Sequence, residues 1–370
     1  MTSAAWLAGA TSLGVGLLAG FFMHRSDFCL AGAFRDLFLF RSLRRLCALL
    51  LAVSCSALLF ETARLLGWLP HYPFPLFAPP TLANLAGGLL FGVGMVLAGG
   101  CVVGVLYKLG GGSLLAGSAL LGLIAGSALY AELHPWWSAV RRATVLHDQA
   151  VTLPQLTGTH PAGWAAALVL AGGWLCWRWR RTGLWERPAA VQGYVPLGVT
   201  SLLLALLGLL AVLGTGMPLG VTTSYAKAAA YVEQWLCPDH AGTLAYFTAQ
   251  PIRYVLPGGG PALAGGSGPV FDVIALIQFP LIAGIVLGAM ASALRLGEFH
   301  PWRRLPASQV VMVFAGGVIM ALGSRMTPGC NVWHLLGGLP LFTMESLLFL
   351  LGLLPGAWLG GRLLRRQIGA

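Results

Sequence analysis

Long apolar runs recur along the whole of this chain, and each has the length of a membrane-crossing helix. A helix needs about 17 to 25 mostly apolar residues to cross the hydrocarbon core of a bilayer. The runs that meet this length lie at residues 4–22, 46–66, 84–106, 113–131, 162–180, 192–213, 271–294, 308–323 and 344–362. The sequence therefore predicts an all-α polytopic membrane protein with about nine transmembrane helices.

The composition supports a lipid bilayer as the surroundings of the chain. Hydrophobic residues make up 57% of its 370 positions and charged residues only 9%, and the mean hydropathy is +0.80. These values are typical of polytopic membrane proteins and exclude an ordinary soluble domain. The first apolar run, Trp6 to Met23, has no basic leader and is interrupted by glycines, which favours a retained span over a cleaved signal.

The net charge of +11 reflects short basic loops and not a nucleic-acid surface. No basic face with interleaved aromatic residues accompanies it, so no nucleic-acid partner is expected. The basic loops lie at residues 41–45, 178–187, 295–304 and 362–366. Clusters of this kind mark cytoplasmic loops. Together with nine spans they predict an N-terminus outside and a C-terminus in the cytoplasm.

Two of the apolar runs end in a similar segment, Gly100-Cys101 and Gly329-Cys330. Backbone that leaves a helix inside a bilayer persists only where protein or a watery cavity surrounds it. Under the predicted topology the run into Cys101 travels inwards and the run into Cys330 travels outwards. This opposition predicts an inverted pseudo-two-fold repeat. The two predicted halves are residues 1–185 and 186–370.

Two further short, glycine-punctuated segments, Gly20 to Arg41 and Gly214 to Trp235, extend the repeat. Interrupted helices in inverted repeats place a transport site near the midplane, where helix N-termini can face an anion. The alternative for any single glycine is that it only lets helices pack closely. Four breaks in paired positions favour a transport site over close packing alone.

Ionisable side chains near the breaks are the candidate substrate contacts, since such groups are costly at membrane depth and usually functional. Cations outnumber acids there, which predicts passage of an anion. The basic residues assigned to the site are His24, Arg25, Lys227, Arg325 and His334. For Arg25, snorkelling to the interface is an open alternative.

Three of the seven cysteines adjoin both a break and a basic group, namely Cys29, Cys101 and Cys330. These conditions can stabilise a thiolate or expose the sulfur. By contrast, Cys47 lies within an ordinary apolar run and is expected to act as a small hydrophobe, while Cys237 stays unassigned. The cysteines show no CxxC spacing, so the sequence indicates neither a disulfide framework nor a metal site, and no cofactor is expected.

The residues at the breaks also carry a resemblance to a known family. The matching segments are Arg25-Ser26-Asp27-Phe28-Cys29, Gly99-Gly100-Cys101, Gly216-Met217-Pro218-Leu219-Gly220 and Gly329-Cys330 with His334. With them the chain resembles the YeeE/YedE family of sulfur-compound transporters, whose members take up thiosulfate. The resemblance implies an hourglass-like fold with short re-entrant helices in a bacterial inner membrane. It also implies that the three pore cysteines are Cys29, Cys101 and Cys330.

The expected function is therefore uptake of thiosulfate through a basic pore lined by a non-covalent relay of thiols, without enzymatic chemistry. A thiol is a weak donor, and weak repeated sites suit conduction. A small cytoplasmic sulfur carrier protein of the TusA type is a further candidate partner. Two alternatives stay open: a transporter of a selenium compound, and a membrane thiol enzyme, either a sulfurtransferase or an oxidoreductase.

Overall fold

The structure is a computed structural model that describes residues 3–74, 76–183, 193–249, 251–259, 262–301 and 305–368. The described chain is almost entirely helical. Its helices are α1 (Ser3–Ser26), α2 (Leu30–Phe40), α3 (Arg44–Leu65), α4 (Leu82–Leu97), α5 (Val102–Gly110), α6 (Leu114–Ala143), α7 (Leu153–Thr157), α8 (Pro161–Arg181), α9 (Leu197–Thr215), α10 (Thr222–Leu236), α11 (Pro238–Thr243), α12 (Ala245–Thr248), α13 (Val273–Leu296), α14 (Ala307–Met326) and α15 (Met344–Ile368). A π-helical turn (Trp333–Gly338) and a 3₁₀ turn (Leu339–Leu341) precede α15, and β1 (Ile252–Tyr254) pairs antiparallel with β2 (Leu263–Gly265).

The predicted polytopic helical fold is confirmed. In the described residues, eight helical segments are long and apolar enough to cross a membrane: Ser3–Phe40, Arg44–Leu65, Leu82–Gly110, Leu114–Ala143, Leu197–Thr215, Val273–Leu296, Ala307–Met326 and Met344–Gln367. The remaining predicted span, 162–180, forms α8, but this helix is not among the eight. Its last turn contains Arg178, Arg180 and Arg181, and these residues lower its apolarity.

Glycine-lined contacts fix how the long helices pack. Gly9 of α1 lies against Leu276 of α13, and Gly20 lies against Ile285, so these two helices run parallel. In the same way α4 and α15 run parallel, with Gly88 against Phe349. A Cβ at either Gly20 or Gly88 would overlap the facing carbonyl group. Small residues thus permit the close backbone approach that stabilises helix pairs in lipid.

The two helices that lead into Cys101 and Cys330 cross in opposite directions, as predicted. Gly87 near the start of α4 faces Gly323 near the end of α14, whereas Gly94 faces Gly316. Other contacts occur in matching pairs: α1 packs on α13 as α9 packs on α3, and α4 packs on α15 as α14 packs on α6. This arrangement is that of an inverted repeat. The predicted boundary at 185 and 186 lies outside the described residues.

Each of the four glycine-punctuated segments interrupts a helix in the structure. The breaks separate α1 from α2, α4 from α5, α9 from α10, and α14 from the π-helical turn. At two of them the chain turns through a glycine with positive φ, +69° at Gly99 and +70° at Gly216, a conformation that side chains with a Cβ rarely adopt. The short helices after the breaks therefore start inside the protein, which positions their N-termini for the site.

Candidate functional site

The three cysteines assigned to the pore occupy equivalent places, each at the start of a short helical segment. Cys29 is the N-cap residue of α2, and Cys101 is that of α5. Cys330 directly precedes the helical residues that continue into the π-helical turn. All three are buried. The break between α9 and α10 has Val221 at the corresponding N-cap position of α10, so three of the four helix starts present a thiol.

Cys29 and Cys101 form a thiol pair. Both sulfurs lie next to Gly104, the Cys101 thiol interacts with the Cys29 sulfur, and the backbone N–H groups of Gly32 and Cys101 face that sulfur. The Cys101 sulfur accepts from the N–H of Gly104 at 3.2 Å. Gly104 faces both thiols, because a Cβ there would lie 3.0 Å from the Cys29 sulfur and 3.3 Å from the Cys101 sulfur. The pair thus depends on a residue without a side chain.

Cys330 extends this pair into a row of three thiols. Its sulfur is faced by the backbone N–H groups of Trp333 and Val332, and by that of Val221 across the opposite break. Cys101 lies close enough to both Cys29 and Cys330 to interact electrostatically with them, and we call these three residues the thiol row. Backbone N–H groups at helix N-termini favour electron-rich groups. The row is therefore surrounded by donors suited to a passing anion.

A charged cluster lies beside Cys29 and involves residues that the sequence did not single out for the site. Arg45 forms ion pairs with both Asp27 and Asp36, and Tyr107 donates its hydroxyl hydrogen to Asp27 at 3.4 Å. Arg45 also interacts electrostatically with Cys29. In the sequence Arg45 belongs to a basic loop, whose only signal is a cytoplasmic location. Its place near the first thiol follows from the packing of α2 on α3.

His24 and Arg25 lie at the end of α1, and their side chains contact α13 and the segment before α9 instead of the three cysteines. The His24 Nδ1 lies 3.0 Å from the Ser292 hydroxyl of α13. Arg25 donates to the Gly193 carbonyl at 2.5 Å, and its guanidinium carbon lies 5.1 Å from the centre of the Phe21 ring. These contacts hold the end of α1 against α13 and the segment before α9. Neither polar contact involves a cysteine.

Lys227 is fully buried on α10 and anchors the segment before α13. Its ammonium donates to the Gly268 carbonyl at 3.1 Å, to the Val270 carbonyl at 2.7 Å and to the Asp272 carboxylate at 2.8 Å. An ammonium has three N–H donors, and these three contacts use all of them. In this structure Lys227 thus has no donor left for the anion that the sequence assigned to it.

Arg325 lies near Cys330 and joins an aromatic cluster. Its guanidinium donates to the Tyr246 hydroxyl at 3.0 Å and interacts electrostatically with the Cys330 thiol. Tyr246 packs against Tyr130 and His134, with ring centres 5.1 Å and 4.9 Å apart. Among the basic residues assigned from the sequence, Arg325 is thus one whose charged side chain acts on a pore cysteine.

His334 is fully buried and holds the fourth break against α15. Its Nε2 lies 2.9 Å from the Thr327 carbonyl oxygen, and its Nδ1 lies 3.0 Å from the Ser346 hydroxyl. A carbonyl only accepts, so Nε2 carries the hydrogen and Nδ1 accepts from Ser346. The ring also stacks on Phe349 with centres 4.3 Å apart. Both ring nitrogens are therefore engaged by the protein itself.

Comparisons with known proteins agree with this arrangement. The family described as Sulphur transport matches residues 25–359. A thiosulfate transporter, TsuA, of Spirochaeta thermophila is 28% identical over 94% of this chain and 98% of its own length. TsuA of Escherichia coli is 26% identical over 93% of this chain and 91% of its own length. A probable transporter, YedE, of Salmonella typhimurium is 33% identical over 22% of this chain and 20% of its own length. The chain therefore belongs to the sulphur-transport family, the YeeE/YedE family that its motifs resemble.

Proposed function

We propose that this chain takes up thiosulfate across a bacterial inner membrane, with its N-terminus in the periplasm and its C-terminus in the cytoplasm. This topology counts α8 as a ninth crossing beside the eight apolar helical segments. The observation that carries the proposal is the row of buried thiols, Cys330, Cys101 and Cys29, each at a helix start. Relatives named thiosulfate transporters align with nearly the whole chain and support the choice of anion.

The anion passes along this row by exchanging weak contacts. Backbone N–H groups of the helix starts face the three sulfurs, and on arrival of the anion the S–H hydrogens, including the one directed from Cys101 to Cys29, turn to the outer sulfur of thiosulfate. Helix N-termini offset the loss of hydration of a dianion. Each thiol contact is feeble, so the anion is held briefly and released, as conduction requires.

Charges at the two ends of the row give the path its direction under the proposed topology. Arg325 stands beside Cys330 towards the periplasm and attracts the dianion. Arg45 stands beside Cys29 towards the cytoplasm, where Asp27 and Asp36 balance its charge. Partial neutralisation at the inner end favours release over retention. A small sulfur carrier protein of the TusA type is the proposed acceptor on the cytoplasmic side.

The test is uptake by liposomes that contain the purified full chain. Thiosulfate labelled at its outer sulfur should enter in a saturable manner and appear inside unchanged. Unlabelled thiosulfate should compete more strongly than sulfate, sulfite or selenite. If liposomes with protein take up no more label than empty liposomes, the proposal is contradicted. Preferential uptake of a selenium anion would identify that anion, and not thiosulfate, as the substrate.

A second candidate, thiol chemistry on the anion, is favoured by the proximity of Cys29 and Cys101. Attack of a Cys29 thiolate on the outer sulfur of thiosulfate would form a persulfide and release sulfite, which leaves with the electron pair of the broken S–S bond. The two functions differ in their products. Recovery of labelled thiosulfate inside the liposomes supports the transporter, whereas free sulfite with label on the protein supports the enzyme.

A further inference from the structure

The hydroxyl group of Tyr225 is buried near the thiol row and has no partner in the described part of the chain. Tyr225 lies one turn into α10, is 4% exposed, and interacts electrostatically with both Cys330 and Cys101. Its oxygen has no hydrogen-bond partner among the described residues. Buried hydroxyl groups in proteins are nearly always hydrogen-bonded, and an unpaired one costs about 1–3 kcal/mol. A group left unpaired at this position needs an explanation.

The residues that follow Cys330 repeat this observation. Asn331 is fully buried, and both its amide nitrogen and its amide oxygen lack a partner within the described chain. The indole N–H of Trp333, which is 7% exposed, is likewise unpaired in that part of the chain. Tyr225 interacts with Cys101 and Cys330, Asn331 directly follows Cys330 in the chain, and the Trp333 ring packs against Gly220 just before α10. All three thus bring unpaired O–H or N–H donors to the region where these two breaks meet. We call these three residues the donor set.

We propose that the donor set binds the sulfonate oxygens of thiosulfate while the thiols meet its outer sulfur. This inference rests on the proposed function and adds an orientation to it. The two ends of thiosulfate differ, because the oxygens are hard acceptors that suit O–H and N–H donors, whereas the outer sulfur is soft and polarisable. A hydrogen bond to a charged acceptor is also stronger than one between neutral groups.

The donor set would therefore act as a subsite for oxyanions, and the thiol row as a subsite for sulfur. Sulfate and sulfite present oxygens without an outer sulfur, so they should compete through the donor set alone. Their competition is expected to be weak and to depend on the tyrosine hydroxyl. Thiosulfate engages both subsites, which accounts for selection of an anion that carries both kinds of atom.

The test compares Tyr225→Phe with Tyr254→Phe in proteoliposomes. Tyr254 is a matched control, because its hydroxyl is also buried and unpartnered among the described residues, but it lies on β1 and faces Gly216. Neither change removes a hydrogen bond that the structure shows, so neither should lower the melting temperature. Tyr225→Phe should raise the half-saturating concentration of thiosulfate about tenfold or more, and Tyr254→Phe should leave it unchanged.

Asn331→Leu is a second variant that replaces the amide with an apolar group of similar size. It should also raise the half-saturating concentration, and in both variants sulfite should compete less well than in the unmodified protein. The inference is overturned if the unmodified protein takes up thiosulfate and Tyr225→Phe matches it, or if the Tyr254→Phe control is impaired equally. Failure of the unmodified protein to take up thiosulfate would instead overturn the proposed function.

Discussion

The thiols of Cys29 and Cys101 meet at one glycine, Gly104, although α2, α3 and α4 separate the two cysteines in the chain. Gly104 faces both sulfurs from the first turn of α5, and its N–H donates to the Cys101 sulfur. The relationship joins two helix N-termini at one point inside the membrane region. It provides one thiol-to-thiol step of the proposed relay.

Replacing Gly104 with alanine should disturb this step. The new Cβ would lie 3.0 Å from the Cys29 sulfur and 3.3 Å from the Cys101 sulfur, so the thiols must shift. Overpacking of this kind costs about 1–3 kcal/mol. Uptake should fall several-fold in protein that still folds. Gly173→Ala is the matched control, because nothing lies within 4 Å of a Cβ there, and it should be neutral or slightly stabilising. Equal uptake by both variants would contradict the importance of the thiol pair.

Single replacement of Cys29, Cys101 or Cys330 by alanine should reduce thiosulfate uptake. Each change removes one S–H donor from a row in which the anion has few alternatives. The amount of folded protein should stay close to normal, since alanine is smaller and makes no clash. Cys47→Ala, in the first turn of α3, is the control and should transport normally. Normal uptake by all three pore variants would rule out the relay.

His334→Ala should chiefly lower stability. It removes two hydrogen bonds and a ring stack, and it leaves the Thr327 carbonyl and the Ser346 hydroxyl short of a partner. The expected loss is about 2–4 kcal/mol in the free energy of unfolding. Thermal unfolding in detergent measures it, with the exposed His71→Ala as control. An unchanged melting temperature with weaker thiosulfate binding would instead support the substrate contact predicted from the sequence.

Lys227→Met should destabilise the packing of the segment before α13. The change leaves the Asp272 carboxylate without its cation and two carbonyl groups without their donor. Breaking one partner of a largely buried ion pair costs about 3–5 kcal/mol. Adding Asp272→Asn should restore part of the lost stability, because it removes the uncompensated charge. If the double variant unfolds at no higher temperature than Lys227→Met alone, the ion pair contributes little to stability.

The sequence predicted the membrane-crossing helices, their breaks and the opposite directions of the runs into Cys101 and Cys330. These features depend on the length of apolar runs, on glycine and proline, and on the sign of charge in short loops, all of which are local. The same local signals placed Cys29, Cys101 and Cys330 at breaks. The span at 162–180 shows their limit, since α8 forms but its arginines reduce its apolarity.

Only the tertiary structure decided which polar groups meet. The sequence offered no signal that Lys227 and His334 would be engaged by Asp272 and Ser346, or that Tyr225 would lie beside two thiols. The physical reason is that a helix that is apolar on most sides has no distinct apolar face, so its sequence does not indicate which helices pack against it. Their partners are set by close glycine contacts between backbones, and those contacts exist only once the helices have packed.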